Sequence, residues 1–88
     1  MHYVIQRSNR RDKKYQAVFD NGKIIHFGGI KRNGEPYEQF RDSTPIKAFS
    51  AYDHNDPERK KRYYARHGTL TNAPIYSASW FSGHFLWT

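Results

Sequence analysis

Tyr15-Gln16-Ala17-Val18-Phe19-Asp20-Asn21-Gly22-Lys23-Ile24-Ile25-His26-Phe27 is the stretch that decides the fold. Two runs rich in β-branched and aromatic residues flank an Asn-Gly pair, and both members of that pair tolerate positive φ. The pattern predicts an antiparallel hairpin with Asn21-Gly22 as a two-residue type I′ loop. In that register Asp20 faces Lys23, Phe19 faces Ile24 and Ala17 faces His26. Tyr15, Ala17, Phe19, Ile24 and His26 then share one face, and Val18, Ile25 and Phe27 lie on the other. Upstream, Tyr3-Val4-Ile5 reads as a further strand, and the polar run Ser8 to Lys14 reads as a loop. Downstream, Gly28-Gly29 ends the hairpin, and Asn33-Gly34 with Pro36 marks a turn. Tyr37 to Phe40 suits a short strand or a helical turn, and Ile46 to Tyr52 is ambiguous.

A helix is predicted over Pro57 to His67. The Asp56 carboxylate can accept from the free amides of the first turn, Pro57 needs no donor there, and Gly68 suits the left-handed residue after the last turn. Arg59, Arg62 and Arg66 form one stripe at 3.6 residues per turn, with Lys60, Tyr63, Tyr64 and His67 on the adjacent face. With few aliphatic residues, the helix is expected to dock through Tyr63, Tyr64 and Ala65. Near the end of the sequence, Ser77 or Ser79 can cap a short aromatic helix. Trp80, Phe81, Phe85 and Trp87 complete the core or dock on a partner, and the core is favoured because little other apolar surface is available. Together these elements predict one α+β domain over residues 1–88. It has a small antiparallel sheet of about three strands, one short basic helix and a C-terminal aromatic helical segment.

The chain has 88 residues, 15 Lys and Arg against 8 Asp and Glu, and a formal charge of +7. Charge is blocked along the sequence. Residues 1–32 carry eight bases and two acids, residues 33–58 two bases and six acids, and residues 59–68 five bases and no acid. The acidic middle either neutralises a basic block internally or leaves the bases to an external anion. Aromatic residues at 17% argue against simple disorder. The absence of Cys excludes disulfides, thiolate metal sites and thiol nucleophiles. No apolar run approaches the ~20 residues of a membrane span, and residues 1–7 lack the pattern of a secretory signal. An interior location, in a cell or a virion, is therefore expected. A domain this small buries only about 60% of its unfolded surface, so homo-oligomerisation or a larger assembly would add stability.

Candidate chemistries follow from residue type and spacing. His2, His26, His54, His67 and His84 are scattered without the short spacing of a zinc pair, so no metal is expected. Asp53, His54, Asn55, Asp56 and Glu58 beside a basic helix could serve a metal-dependent nuclease. Asp56 and Glu58 already have sufficient roles at a helix start, so the chain reads as non-enzymatic and without a cofactor. The cations offer more. Arg7, Arg10, Arg11, Lys13 and Lys14 form one electropositive segment, and Arg59, Lys60, Arg62 and Arg66, with Lys61, form a second. Tyr63 and Tyr64 stand near enough for stacking. Phosphate contacts from such patches carry no sequence information, so nucleic-acid binding through them would be sequence-independent. Arg also pairs with protein carboxylates, so an acidic structural protein is the other candidate partner.

Several segments carry a resemblance. His26-Phe27-Gly28, Tyr37-Glu38-Gln39-Phe40, the run His54-Asn55-Asp56-Pro57-Glu58-Arg59-Lys60-Lys61-Arg62-Tyr63-Tyr64-Ala65-Arg66-His67 and the Trp-Phe-Ser…Leu-Trp ending are similar to a family of small basic proteins. That family is encoded by large double-stranded DNA viruses, including algal and giant viruses. The resemblance spans roughly Lys23 to Trp87 and departs from the family between Asp42 and Ala51 and at Gly83-His84. It implies a viral context, with viral structural proteins or the genome as partners, and implies no catalytic chemistry. The expectation is a small basic structural or virion-associated protein, with sequence-independent nucleic-acid binding as the alternative.

Overall fold

The computed structural model describes residues 2–67 and 73–88, without the His67 side chain. Three strands come first: β1 (Tyr3–Arg7), β2 (Lys13–Phe19) and β3 (Ile24–Gly29). They form one antiparallel meander in the order β1-β2-β3. After a long segment with a single 3-10 turn at Ser50–Tyr52, α1 covers Pro57–His67 and α2 covers Ala78–Leu86. This is the α+β arrangement of three strands and two helices expected from the sequence. No helix among the described residues is long and apolar enough to cross a membrane.

The hairpin forms with a register one residue away from the predicted one. Val18 faces Ile24, Ala17 faces Ile25, Gln16 faces His26 and Tyr15 faces Phe27. The reason lies in the turn. Asn21 does not take positive φ, whereas Gly22 does at +89°. The Gly22 amide donates to the Phe19 carbonyl at 3.0 Å, and the Phe19 amide donates to the Lys23 carbonyl at 2.9 Å. The connection is thus three residues, Asp20-Asn21-Gly22, with glycine in the left-handed position, instead of a two-residue type I′ loop. A one-residue slip exchanges the faces of one strand relative to the other. Tyr15, Ala17 and Phe19 now share a face with Ile25 and Phe27, while His26 moves to the opposite face beside Gln16. The observed register gathers the large apolar side chains on one side, which the predicted one split.

That side carries the core. Tyr15, Ala17, Phe19, Phe27, Phe49, Phe81 and Leu86 are buried together. α2 packs on β3, with Phe81 stacked on Phe27 at 5.3 Å and Phe85 at 6.1 Å from the same ring. Ser77 caps α2 by accepting from the Trp80 amide at 3.1 Å, which selects between the two serines named above. Trp80 lies edge-on to Phe81 at 5.1 Å and stacks on His84 at 3.8 Å. The C-terminal aromatic segment is therefore packed within the chain.

Residues 30–56 bury polar groups, and their hydrogen bonds hold the segment in place. The Gln39 amide donates to Tyr52 O, the Arg41 amide to Leu86 O and the Ser43 amide to Phe85 O, at 3.2, 3.0 and 2.8 Å. Asp42 accepts from the Thr44 amide and hydroxyl on one carboxylate oxygen, at 3.0 and 2.6 Å. Its other oxygen accepts from the Phe49 amide at 3.1 Å and from the Tyr15 hydroxyl. The Tyr15 oxygen in turn accepts from the Ala48 amide at 3.0 Å. Gln39 donates to Phe49 O and to Asp53 Oδ1, both at 2.7 Å. Asp53 Oδ1 also accepts from the Asp42 amide at 2.8 Å. Gln39, Asp42 and Thr44 are all nearly inaccessible, so the acidic middle of the sequence is partly an interior polar network.

Lys14 belongs to that network. The sequence placed it on an exposed basic loop, but β2 already begins at Lys13, and Lys14 is 2% exposed. Its ammonium donates to Tyr37 O and to Gln39 Oε1, each at 2.5 Å. Gly28, at φ +79°, makes room for it: a Cβ there would meet Lys14 side-chain carbons at 3.0 Å. Burial lowers the Lys14 ammonium to about 8, against the opposing pull of Asp42 and Asp53. Lys14 thus helps fix the loop from within and leaves the set of surface cations.

Candidate functional site

The surface cations fall into two groups, and the fold treats them differently. In the first, Arg10 makes a two-point pair with Asp12 at 3.0 and 3.2 Å. The Arg7 guanidinium lies 5.2 Å above the Phe49 ring. Arg11 is exposed and has no ion pair among the described residues. Lys13 is half-buried at the start of β2, across from Gly29.

The second group is on α1. Asp56 caps the helix by accepting from the Glu58 amide at 3.0 Å. The expected Gly68 terminus lies outside the described residues. Tyr63 is buried and stacks on Trp87 with centroids 4.3 Å apart and planes 4° from parallel. Burial raises the Tyr63 hydroxyl, with Ser82 and then Arg66 opposing the rise. The Tyr64 hydroxyl donates to Trp87 O at 2.7 Å. These contacts anchor α1 on the end of α2. Ala65, expected at the docking face, is exposed instead, because the two tyrosines and Trp87 already form the contact.

Anchoring through Tyr63 and Tyr64 leaves the arginine stripe at the surface. Arg59 pairs with Glu38 at 2.9 Å, and that contact holds the Glu38 carboxyl below its usual range. Lys60 lies 4.6 Å over the Phe40 ring. Arg62 and Arg66 have no carboxylate partner among the described residues. With Arg59, Ala65 and Trp87 they line a trough of about 400 Å³. A second trough, of about 550 Å³, adjoins it. Arg59, Arg66 and Trp87 line it too, together with Lys31, Tyr37 and Gly29.

The residues considered for metal-dependent chemistry have other attachments. Asp53 is held by Gln39 and the Asp42 amide, and Asp56 by the Glu58 amide. His54 Nδ1 accepts from the Asp56 amide at 3.0 Å, which places the proton of the neutral ring on Nε2. That Nε2 is buried without a hydrogen-bond partner among the described residues, beside the Trp87 ring at 5.3 Å. Burial first, and Arg59 second, lowers the His54 imidazolium below its usual range. Among the described residues, no group of three or more His, Asp and Glu side chains is placed to hold a metal ion.

Sequence reasoning missed Lys31, Arg32 and Tyr37 as members of the basic surface. Their signal was present in the Lys31-Arg32 pair just after the β3 glycines. Reading that stretch only as a turn left the bases without a role. Residues 3–33 match a family of unknown function (DUF5754). The match spans β1, β2 and β3 and ends within the turn that follows, before α1. It shares only residues 23–33 with the stretch that carries the viral resemblance, and no viral origin comes with it. Comparison with curated proteins and with solved structures gives no match.

Proposed function

We propose that this chain is a small non-catalytic basic module that binds a polyanion through the exposed face of α1. One observation carries the reading: the acidic middle does not neutralise the basic helix. Of its six carboxylates, Glu38 alone pairs with an α1 cation among the described residues. Asp42 and Asp53 accept hydrogen bonds in the interior, and Asp56 caps the helix. Arg62 and Arg66, one helical turn apart beside a trough, remain for an external anion. Such cations attract phosphates or carboxylates over several ångströms and release counterions on contact.

The polyanion is a nucleic-acid backbone or an acidic protein surface. The resemblance to small basic proteins of large DNA viruses supports a virion-associated role, bridging genome and structural proteins inside the particle or the host cell. Mass spectrometry of purified particles tests that placement, and absence from them removes it. The binding itself is tested by titrating the purified chain against a labelled oligonucleotide and a poly-glutamate peptide. Binding to at least one of them, weakened by Arg62→Glu with Arg66→Glu, is expected. Failure to bind either polyanion at low salt would overturn the reading.

A further inference from the structure

We infer that the polyanion is a single-stranded nucleic acid, laid along three adjoining troughs that lead from Arg11 to α1. The inference rests on the polyanion reading and adds the strand's course and chemistry. Three troughs share lining residues from one to the next. The first, of about 450 Å³, is lined by Arg11, Lys31 and Arg32 beside the turn after β3. Lys31 also lines the second, of about 550 Å³, together with Arg59 and Arg66. Arg59 and Arg66 then line the third, of about 400 Å³, with Arg62. Six cations from sequence-distant segments thus follow one path. The two carboxylates along it, Asp12 and Glu38, are each already held by an arginine. Arg11, Lys31, Arg32, Arg62 and Arg66 keep no carboxylate partner among the described residues, so the lining stays net positive.

The middle of the path distinguishes a nucleic acid from an acidic protein. Tyr37 lines the second trough and is 54% exposed. Its ring is backed by Gly29, where a Cβ would come within 2.9 Å of a ring carbon. The Lys31 ammonium lies over the ring, 5.4 Å from its centroid, so a base that stacks there displaces it towards a flanking phosphate. A firmly seated, accessible ring among cations is the arrangement on which an unpaired base stacks while flanking phosphates meet Arg and Lys. A poly-carboxylate gains nothing from that ring. A duplex keeps its bases stacked inside, so it can meet the rim cations but cannot place a base on Tyr37. Trp87 serves as a wall and not as a platform, because Tyr63 already covers it. With a longest dimension of 37 Å, the molecule covers a short stretch, on the order of 4–8 nucleotides.

The test measures fluorescence anisotropy with a single strand of about 12 nucleotides, the duplex of the same sequence and a poly-glutamate peptide. The single strand is expected to bind about tenfold tighter than the duplex, and Tyr37→Ala to remove most of that advantage while leaving duplex affinity unchanged. Tyr37→Trp, which keeps a stacking surface, should retain it. Replacing Arg11, Lys31 and Arg32 together by Ala should make the salt slope for the single strand shallower by about 2, at ~0.7 per phosphate contact. Circular dichroism confirms that each variant is folded. Equal affinity for strand and duplex, or equal loss for both in Tyr37→Ala, overturns the groove while leaving polyanion binding intact. Preference for poly-glutamate overturns it in favour of an acidic protein. Binding to none of the three removes the underlying reading as well.

Discussion

The carboxylates of residues 33–58 and the cations of α1 are neighbours in sequence, and the fold uses them in opposite ways. The loop turns Asp42 and Asp53 inward. Asp42, Asp53, Gln39 and Lys14 are joined in one network of hydrogen bonds to oxygens within the molecule. The helix turns its charge outward, and Arg62 and Arg66 meet no carboxylate among the described residues. Buried polar groups must be satisfied because desolvation is costly, whereas exposed cations are solvated at little cost. Loop substitutions should therefore change stability, and helix substitutions should change binding.

The strongest break is at the centre of the loop. Asp42→Ala strips acceptors from Thr44, the Phe49 amide and the Tyr15 hydroxyl at once. We expect a loss of about 3–5 kcal/mol, the usual cost of breaking a buried charged network, seen as a lower denaturant midpoint. A loss below about 1 kcal/mol would mean that water replaces the network. Tyr15→Phe removes one donor and one acceptor from the same place and should cost about 1–2 kcal/mol.

Protonation sharpens the contrast further. The Lys14 ammonium sits at about 8 in the fold against an ordinary 10.5. Above pH 8 the folded chain releases this proton while the unfolded chain keeps it, so the Lys14 contribution to stability rises with pH. The slope is at most about 1.4 kcal/mol per pH unit. Tyr15, raised to about 12 by burial and then by Asp42, opposes this above pH 10, where the unfolded phenol ionises first. Denaturant titrations between pH 7 and 10 should show a rising component that Lys14→Met abolishes. His54 acts at the other end. Its lowered imidazolium means that stability falls as pH drops below 6.5 and levels off below the folded value. A protonated ring also cannot accept from the Asp56 amide. His54→Gln should flatten that acid limb.

The smallest expected effect on stability belongs to the helix face. Arg62→Ala with Arg66→Ala should leave stability within about 0.5 kcal/mol, since neither side chain meets a carboxylate among the described residues. A larger loss would show that the stripe is structural.

The sequence revealed these two regions unequally. The span of α1 and its arginine stripe were legible because their signals are local: Asp56, Pro57 and the arginine spacing all lie within three turns. The strands were legible for the same reason, but their register was not, because Asn21-Gly22 serves either a two-residue or a three-residue connection. The loop network was not legible. Gln39, Asp42 and Thr44 look like ordinary loop residues, and only long-range contacts with Tyr15 and Lys14 bury them. Lys14 was misplaced by the same limit, since a charge run carries no mark of which member turns inward. The groove was half legible: its α1 wall followed from helical spacing, but Lys31, Arg32 and Tyr37 reach it through the return of the chain after β3.

The most direct test of the division between inward and outward charge is the slope of log affinity against log salt for an oligonucleotide, wild type beside Arg62→Ala with Arg66→Ala. A steep wild-type slope that becomes shallower by about 1.4 in the double variant, at ~0.7 per contact on a single strand, with the denaturant midpoint unmoved, is the expected result. A slope unchanged by the double substitution, or binding indifferent to salt, would contradict the account.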